Sequence, residues 1–321
     1  MESFQCNDSR RQRHGLHDAR DERDSCGFGL IAHLDDTPDR SLVEQALNAL
    51  ARMEHRGGIA ADGLSGDGCG LLMKTPDAFL RALAAESGIA LGQRYASGLV
   101  FMPHDPDAVA HVHAVFAKTM RENGLAVSGW RTVPIDDSVC GELAKATMPA
   151  IEQVFVVPVL DVEGARMSRE AFAQALYLSR RRAEQRLRDV PGLHVVSLSA
   201  SSIGYKGMVL PQYLSRLYPD LQRPELASSV VVFHQRFSTN TSPRWPLAQP
   251  FRMLAHNGEI NTISGNRVWA QARAHVWRTE ALDPSEFDTP IEVDGSDSMS
   301  LDSMLELLQA GGMDLLKALR V

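Results

Sequence analysis

A chain of 321 residues, with 44% hydrophobic and 23% charged residues, has the composition of a folded globular protein with a substantial core. Its 33 basic residues are outnumbered by 40 acidic ones, giving a net charge of −7, which argues against nucleic acid as a partner. No apolar run approaches the roughly 18 residues of a membrane span, and the N-terminal stretch lacks the apolar core of a secretory signal, so the expected setting is the cytoplasm with no membrane contact.

Residues 1–25 are rich in Arg, Asp, Ser and His and poor in apolar residues, and read as a segment outside the packed domain. Residues 27–34 (GFGLIAHL) read as a buried strand, and 41–53 as a helix with Val43, Leu47 and Leu50 on one stripe and Ser41 as its N-cap. A short helix over 77–88 ends at Gly88; a strand over 97–103 leads to a helix over 106–124, stopped by Asn123 and Gly124. Residues 151–159 form a buried strand and 168–190 a long helix, whose basic run SRRRAEQRLR is expected to line a solvated face. Strands are expected over 194–201, 203–210, 228–238 and 251–260, followed by a helix over 261–277. Strands mixed with paired helices, without a regular βαβ rhythm, indicate an α+β layered fold. The chain closes in an apolar helical pattern in which Leu315, Leu316, Leu319 and Val321 await partners.

Four polar clusters interrupt these elements: Cys26-Gly27, where a charged run gives way to the first strand; the glycine-dense MEHRGGIAADGLSGDGCG over 53–70; HQRFSTNTSPRWPLAQPFRMLAHNGEINT over 234–262; and DGSDSMSLD over 294–302. The glycines follow neither the dinucleotide nor the P-loop pattern, so 63–70 reads as a tight, ordered loop rather than a phosphate cradle. No G-x-S-x-G elbow, H-E-x-x-H or EF-hand loop occurs, and His111 and His113, two apart on a helix, point to different faces. The four cysteines, Cys6, Cys26, Cys69 and Cys140, have no spacing suited to a metal or cluster. Taken singly, each cluster has a plain reading. A cysteine opening a strand is commonly structural, Arg236 and Asp297 suit an ion pair between loops, and Asn257-Gly258 suits a type I′ hairpin turn. Cys69, Cys140 and the tryptophans Trp130, Trp245, Trp269 and Trp277 read as packing residues, with Trp245 also placed to shape a pocket.

Taken together and in order, CGFGLIAH, MEHRGG, ADGLSGDG, IGYKGM, RFSTNT, LAQPFR, LAHNGEINT and SDS…LD resemble the glutaminase domain of glutamate synthase large subunits. That domain belongs to the class II glutamine amidotransferases, which have the N-terminal nucleophile (Ntn) hydrolase fold. The resemblance runs from about residue 19 to the end and implies a four-layer αββα sandwich. Cys69 stands where relatives usually carry Ala. On this resemblance residues 1–25 are a propeptide, and 26–321 are the amidotransferase domain, expected to stop short of its full C-terminal end.

The same resemblance implies the chemistry. A thiol with pKa of about 8.5 needs a neighbouring base, and a free α-amine, with pKa of about 7.7–8.0, is a good one near neutral pH. Cys26 as the first residue of the mature chain supplies both. Asn257, through its side-chain amide, and Gly258, through its backbone N–H, match the oxyanion hole. Arg236 matches the residue that grips the α-carboxylate of L-glutamine, Thr239 is its hydroxyl partner on the same loop, Asp297 matches the partner of the α-ammonium, and Arg56 matches a second arginine of the pocket. No cofactor is expected in these residues; FMN and an iron–sulfur cluster belong to the remainder of such a large subunit, whose other expected partner is a small reductase subunit. Two alternatives are an amidotransferase domain feeding a sugar, purine or aspartate acceptor, and an inactive fragment that retains its propeptide.

Overall fold

A computed structural model describes residues 27–159, 167–236, 241–280 and 282–320. In chain order it comprises β1 (Phe28–Ala32), α1 (Arg40–Ala51), β2 (Ser65–Lys74), α2 (Asp77–Glu86), β3 (Ala96–Met102), α3 (Pro106–Glu122), β4 (Leu125–Thr132) and the short α4 (Glu142–Lys145). There follow β5 (Ala150–Pro158), α5 (Arg169–Arg186), β6 (His194–Val195), β7 (Ser202–Val209), the short α6 (Leu214–Leu217), β8 (Val230–Gln235), α7 (Ile263–Ala272), α8 (Asp297–Ala310) and α9 (Leu315–Ala318).

Among the described residues the strands form two four-stranded sheets, in the orders β1-β8-β2-β7 and β4-β5-β3-β6, with every pairing antiparallel. The result is the mixed α+β architecture expected from the sequence. The second sheet is apolar on both faces. Leu99, Phe101, Ile151 and Phe155 join one core with Leu42, Val43, Ala46 and Leu50 of α1, while Val100, Val154 and Val156 join a second core with Val112 and Phe116 of α3 and Phe172 of α5. That explains why β3 is buried at all seven positions. The first sheet turns Leu71, Met73, Tyr205, Val231 and Phe233 toward the α1 core. Its opposite face carries the alternate residues, among them Phe28, His234, Gly70 and Lys206, which the register places side by side across β1, β8, β2 and β7.

Several local expectations are corrected. Asp39, not Ser41, caps α1: its carboxylate, two residues earlier, accepts from the Ser41 N–H at 2.8 Å and the hydroxyl at 2.6 Å. The glycine-dense 63–70 stretch is not a loop throughout; from Ser65 it is β2, with a bulge before Cys69. Its glycines admit close neighbours: a Cβ on Gly66 would lie 2.6 Å from the Val209 carbonyl oxygen, and one on Gly68, at φ 118°, would lie 2.8 Å from the Ala248 Cβ. Residues 194–201 contribute only the two-residue β6, and LAVSGWRT, missed in the sequence, is β4. The basic run on α5 is not a purely solvated face. The Arg180 side chain is only 2% exposed, paired with Glu184 at 2.9 Å and with Glu306 of α8 at 2.8 Å, because α8 lies across that side of α5. Trp269 is 62% exposed rather than packed, with Arg273 over its ring. Leu315, Leu316 and Leu319 are exposed on and beside α9. Among the described residues no helix is long and apolar enough to cross a membrane.

Candidate active site

The site collects at one end of the first sheet, where β1 begins and β8 ends. Gly27 is buried, and its carbonyl accepts from the Gln235 N–H at 2.6 Å. A Cβ on Gly27 would approach the Gln235 carbonyl to 2.4 Å and Asn257 Oδ1 to 3.2 Å, so only glycine lets the strand start lie against both. Asn257 therefore sits directly over the residue that follows Cys26. Cys26 itself, the preceding residues 1–25 and Thr239 lie outside the described residues.

Arg236 follows β8 and is 6% exposed; its backbone N–H donates to the Gly68 carbonyl at 2.9 Å. Its Nη2 donates to the Thr241 hydroxyl, while Nη1 is buried with no hydrogen-bond partner among the described residues. Burial lowers its pKa from the ordinary arginine value and Arg244 adds to this, while Asp67 and Asp297 oppose it. A guanidinium stays charged in either case, so a buried, unpaired N–H on it is a strong call for an anion. Arg56 ends the 3-10 turn Glu54–Arg56, and its Nε is likewise buried without a partner. The following Gly57 allows this turn to press against β8: a Cβ there would lie 1.7 Å from Gln235 Nε2 and 3.2 Å from the Arg236 carbonyl oxygen.

Asn257 and Gly258 do not form the turn of a hairpin, and 251–260 is not the strand expected. The segment is an irregular span laid on the first sheet and held by buried polar groups. Lys206, 2% exposed, donates Nζ to the Pro246 carbonyl at 2.6 Å and lies 5.2 Å from the Phe251 ring centre. Burial, with Arg252 adding and Asp302 opposing, brings its amine down to about 7. Gln249 grips the backbone of His256 at both ends, Nε2 to the carbonyl at 3.1 Å and Oε1 from the N–H at 2.9 Å. Asp302 accepts from the N–H groups of Arg252, Met253 and Leu254 at 3.3, 2.7 and 3.2 Å. Burial and the charge of Glu306 raise its carboxyl to about 6, against the pull of Arg252. His234 lies 1% exposed in the same row as Lys206, with neither ring nitrogen in hydrogen-bonding geometry. Burial pushes it down to about 4, although the backbone of His256 lies near enough to favour the charged form slightly. A strand reading missed all this because FRMLAHNGEI alternates well enough, whereas its backbone is held by the side chains of Gln249 and of Asp297 and Asp302 on α8.

Asp297 opens α8, which Ser296 caps through the Met299 N–H at 3.2 Å. Its Oδ2 accepts from the Ile260 N–H at 2.6 Å and its Oδ1 from the Ser298 N–H at 2.6 Å. The structure thus brings Gly27, Arg56, Arg236, Asn257 and Asp297 to one region, and adds Asp67, Thr241, Gln249, Lys206 and Asp302, which the sequence reading did not select. Asp67 and Thr241 lie inside the quoted SGDG and STNTS runs, two residues from positions already singled out. Gln249, Lys206 and Asp302 fall in the quoted LAQPFR, IGYKGM and SDS…LD.

The sequence pattern of the family described as "Glutamine amidotransferases class-II" matches residues 26–321. The chain belongs to the class II glutamine amidotransferases. As in the family generally, this is an Ntn-hydrolase domain, an amidotransferase with glutaminase chemistry. The domain is 41% identical over 316 residues to "Ferredoxin-dependent glutamate synthase, chloroplastic" of Oryza sativa subsp. japonica, covering 95% of this chain and 19% of the relative. It is also 41% identical over 300 residues to "Glutamate synthase [NADPH] large chain" of Azospirillum brasilense, 91% of this chain and 19% of that one. The protein of that name from Bacillus subtilis is 36% identical over 301 residues, 93% of this chain and 20% of that one. The amidotransferase domain therefore spans a fifth or less of these large chains and matches their glutaminase region.

Proposed function

We propose that this domain hydrolyses L-glutamine through Cys26 as an N-terminal nucleophile, inside a four-layer αββα sandwich, and that its ammonia is destined for reductive transfer to 2-oxoglutarate elsewhere in a glutamate synthase. The observation that carries the reading is the buried guanidinium N–H of Arg236, unpartnered among the described residues, on the residue that follows Gln235, against which Gly27 lies. It supplies what the α-carboxylate of glutamine needs, next to where the nucleophile must stand. The family match beginning at Cys26 supports the removal of residues 1–25.

On this reading the free α-amine of Cys26 takes the thiol proton as sulfur attacks the side-chain carbonyl carbon. Negative charge on the carbonyl oxygen is received by the Asn257 amide and the Gly258 N–H. The amine then gives its proton to the leaving nitrogen, the C–N bond breaks, and ammonia departs from a γ-glutamyl thioester. Water adds to the thioester by the same route, releasing glutamate and restoring the thiol. Arg236, with Thr239 and Arg56, holds the α-carboxylate, and Asp297 the α-ammonium. While residues 1–25 remain attached, that nitrogen is an amide and cannot accept the proton.

The remainder of a large subunit, a small reductase subunit, FMN and an iron–sulfur cluster in that remainder, and a cytoplasmic setting belong to the same proposal. Ferredoxin-dependent and NADPH-named relatives match at the same 41%, which suits a glutaminase domain shared by both kinds. The test is a glutaminase assay on protein beginning at Cys26. Glutamate and ammonia in equal amounts, lost in Cys26→Ala, support the reading; wild-type protein that is folded, begins at Cys26 and releases neither refutes it.

A further inference from the structure

The dipeptide Asn257-Gly258 is exposed and makes no strand pairing, so its position is set by what holds its flanks. Both flanks end on the same carboxylate. On the C-terminal side, the Ile260 N–H donates to Asp297 Oδ2 at 2.6 Å. On the N-terminal side, His256 Nδ1 lies 2.8 Å from the Ser298 hydroxyl, which lies 3.2 Å from Asp297 Oδ1. A carboxylate only accepts, so for both of these contacts to be hydrogen bonds the Ser298 hydroxyl donates to Asp297 and His256 Nδ1–H donates to the hydroxyl. Ser298 is 3% exposed, which shields this chain from competing water.

From this we infer that Ser298 and His256 are positioning residues that couple occupation of the α-ammonium site at Asp297 to the placing of the oxyanion hole. The inference rests on the glutaminase reading above. A carboxylate offers about four lone-pair sites, and the Ile260 N–H, Ser298 N–H and Ser298 hydroxyl take three. An ammonium arriving at the fourth shares the charge that both flanking anchors use, so it adjusts both at once. The α-amine of the substrate then acts on the chemical step and not only on binding, as when interactions remote from the reacting bond are realised in the transition state. Specificity for glutamine over amides that lack the amine is thereby built into turnover.

The test uses protein beginning at Cys26, with glutamine and 4-carbamoylbutanoate, which is glutamine without its α-amine. Wild type is expected to turn over glutamine with a kcat at least about 10-fold above that of the analogue. Ser298→Ala should lower kcat for glutamine with little change in KM, and shrink the kcat ratio between the two substrates to within about 3-fold. Ser298→Thr, which keeps the hydroxyl, should restore the ratio. Should Ser298→Ala fail to fold, His256→Phe removes the same link from the partly exposed side and should give the same collapse. A kcat ratio unchanged in both variants, or a wild type that discriminates through KM alone, overturns the coupling while leaving the glutaminase reading intact. A wild type that turns over neither substrate overturns both.

Discussion

On the proposed glutaminase reading Asn257 and Arg236 do different work, and kinetics separate them. Asn257→Ala removes a donor needed only as charge develops, so kcat should fall about 100- to 1,000-fold with KM little changed. Arg236→Gln removes a charged donor of the substrate carboxylate, worth about 1.5–3 kcal/mol, so kcat/KM should fall by about one to two orders of magnitude, mainly through KM. Steady-state assays of both variants, with unfolding curves to verify their folds, check the division. His234 offers a titration of the packing under the oxyanion span. Its folded pKa of about 4 lies below the unfolded 6.5, so the unfolded chain binds the extra proton and stability is lost as pH falls through that window. The loss is at most about 3 kcal/mol. Asp302, raised to about 6, works in the opposite direction over part of the same range. The clean measure is therefore the difference in denaturation free energy between wild type and His234→Met. It should be constant above about pH 7 and move against the wild type between pH 6.5 and 4; a flat difference would mean that His234 is protonated freely in the fold.

At the scale of elements, the first sheet is the bed on which the irregular span that carries Asn257 and Gly258 lies. Gly70 occupies the centre of the row between His234 and Lys206, and a Cβ there would lie 2.6 Å from the Tyr205 carbonyl oxygen, 2.7 Å from Lys206 Cβ and 2.8 Å from the Gln249 carbonyl oxygen. Gly70→Ala should therefore cost about 1–3 kcal/mol and lower kcat by lifting the span from the sheet, measured by denaturation and assay together. The helices and apolar strands of this architecture were legible in the sequence because their periodicities are local: α1, α3, α5, β3 and β5 lie within a few residues of expectation. The elements misread are those whose conformation is decided from afar. The glycines of β2 serve neighbouring strands and hide it, and 251–260 reads as a strand although its backbone partners are Gln249, Asp297 and Asp302 rather than another strand. The candidate site was legible as a set of motifs, since Arg56, Arg236, Asn257 and Asp297 each stand in a quoted run. The groups that hold them, such as Ser298 and Asp302, look like ordinary helix residues until α8 is placed against the span.

For the molecule as a whole, the two largest cores and the two sheets among the described residues carry the site at one end of one sheet. The cores of α1, α3 and α5 fix the strands, and α8 ties Asp297, the carboxylate proposed to bind substrate, to the span that carries Asn257 and Gly258 through Asp297, Ser298 and Asp302. On the glutaminase reading the chain is cut before Cys26, the residue just ahead of Gly27 and β1. The measurement that tests it most directly is the intact mass of the purified protein produced from residue 1, beside a Cys26→Ala control. Loss of residues 1–25 in the wild type, with the control left whole, is the predicted result and makes Cys26 the N-terminal nucleophile. A wild-type chain that stays whole after long incubation, indistinguishable from the control, would contradict it.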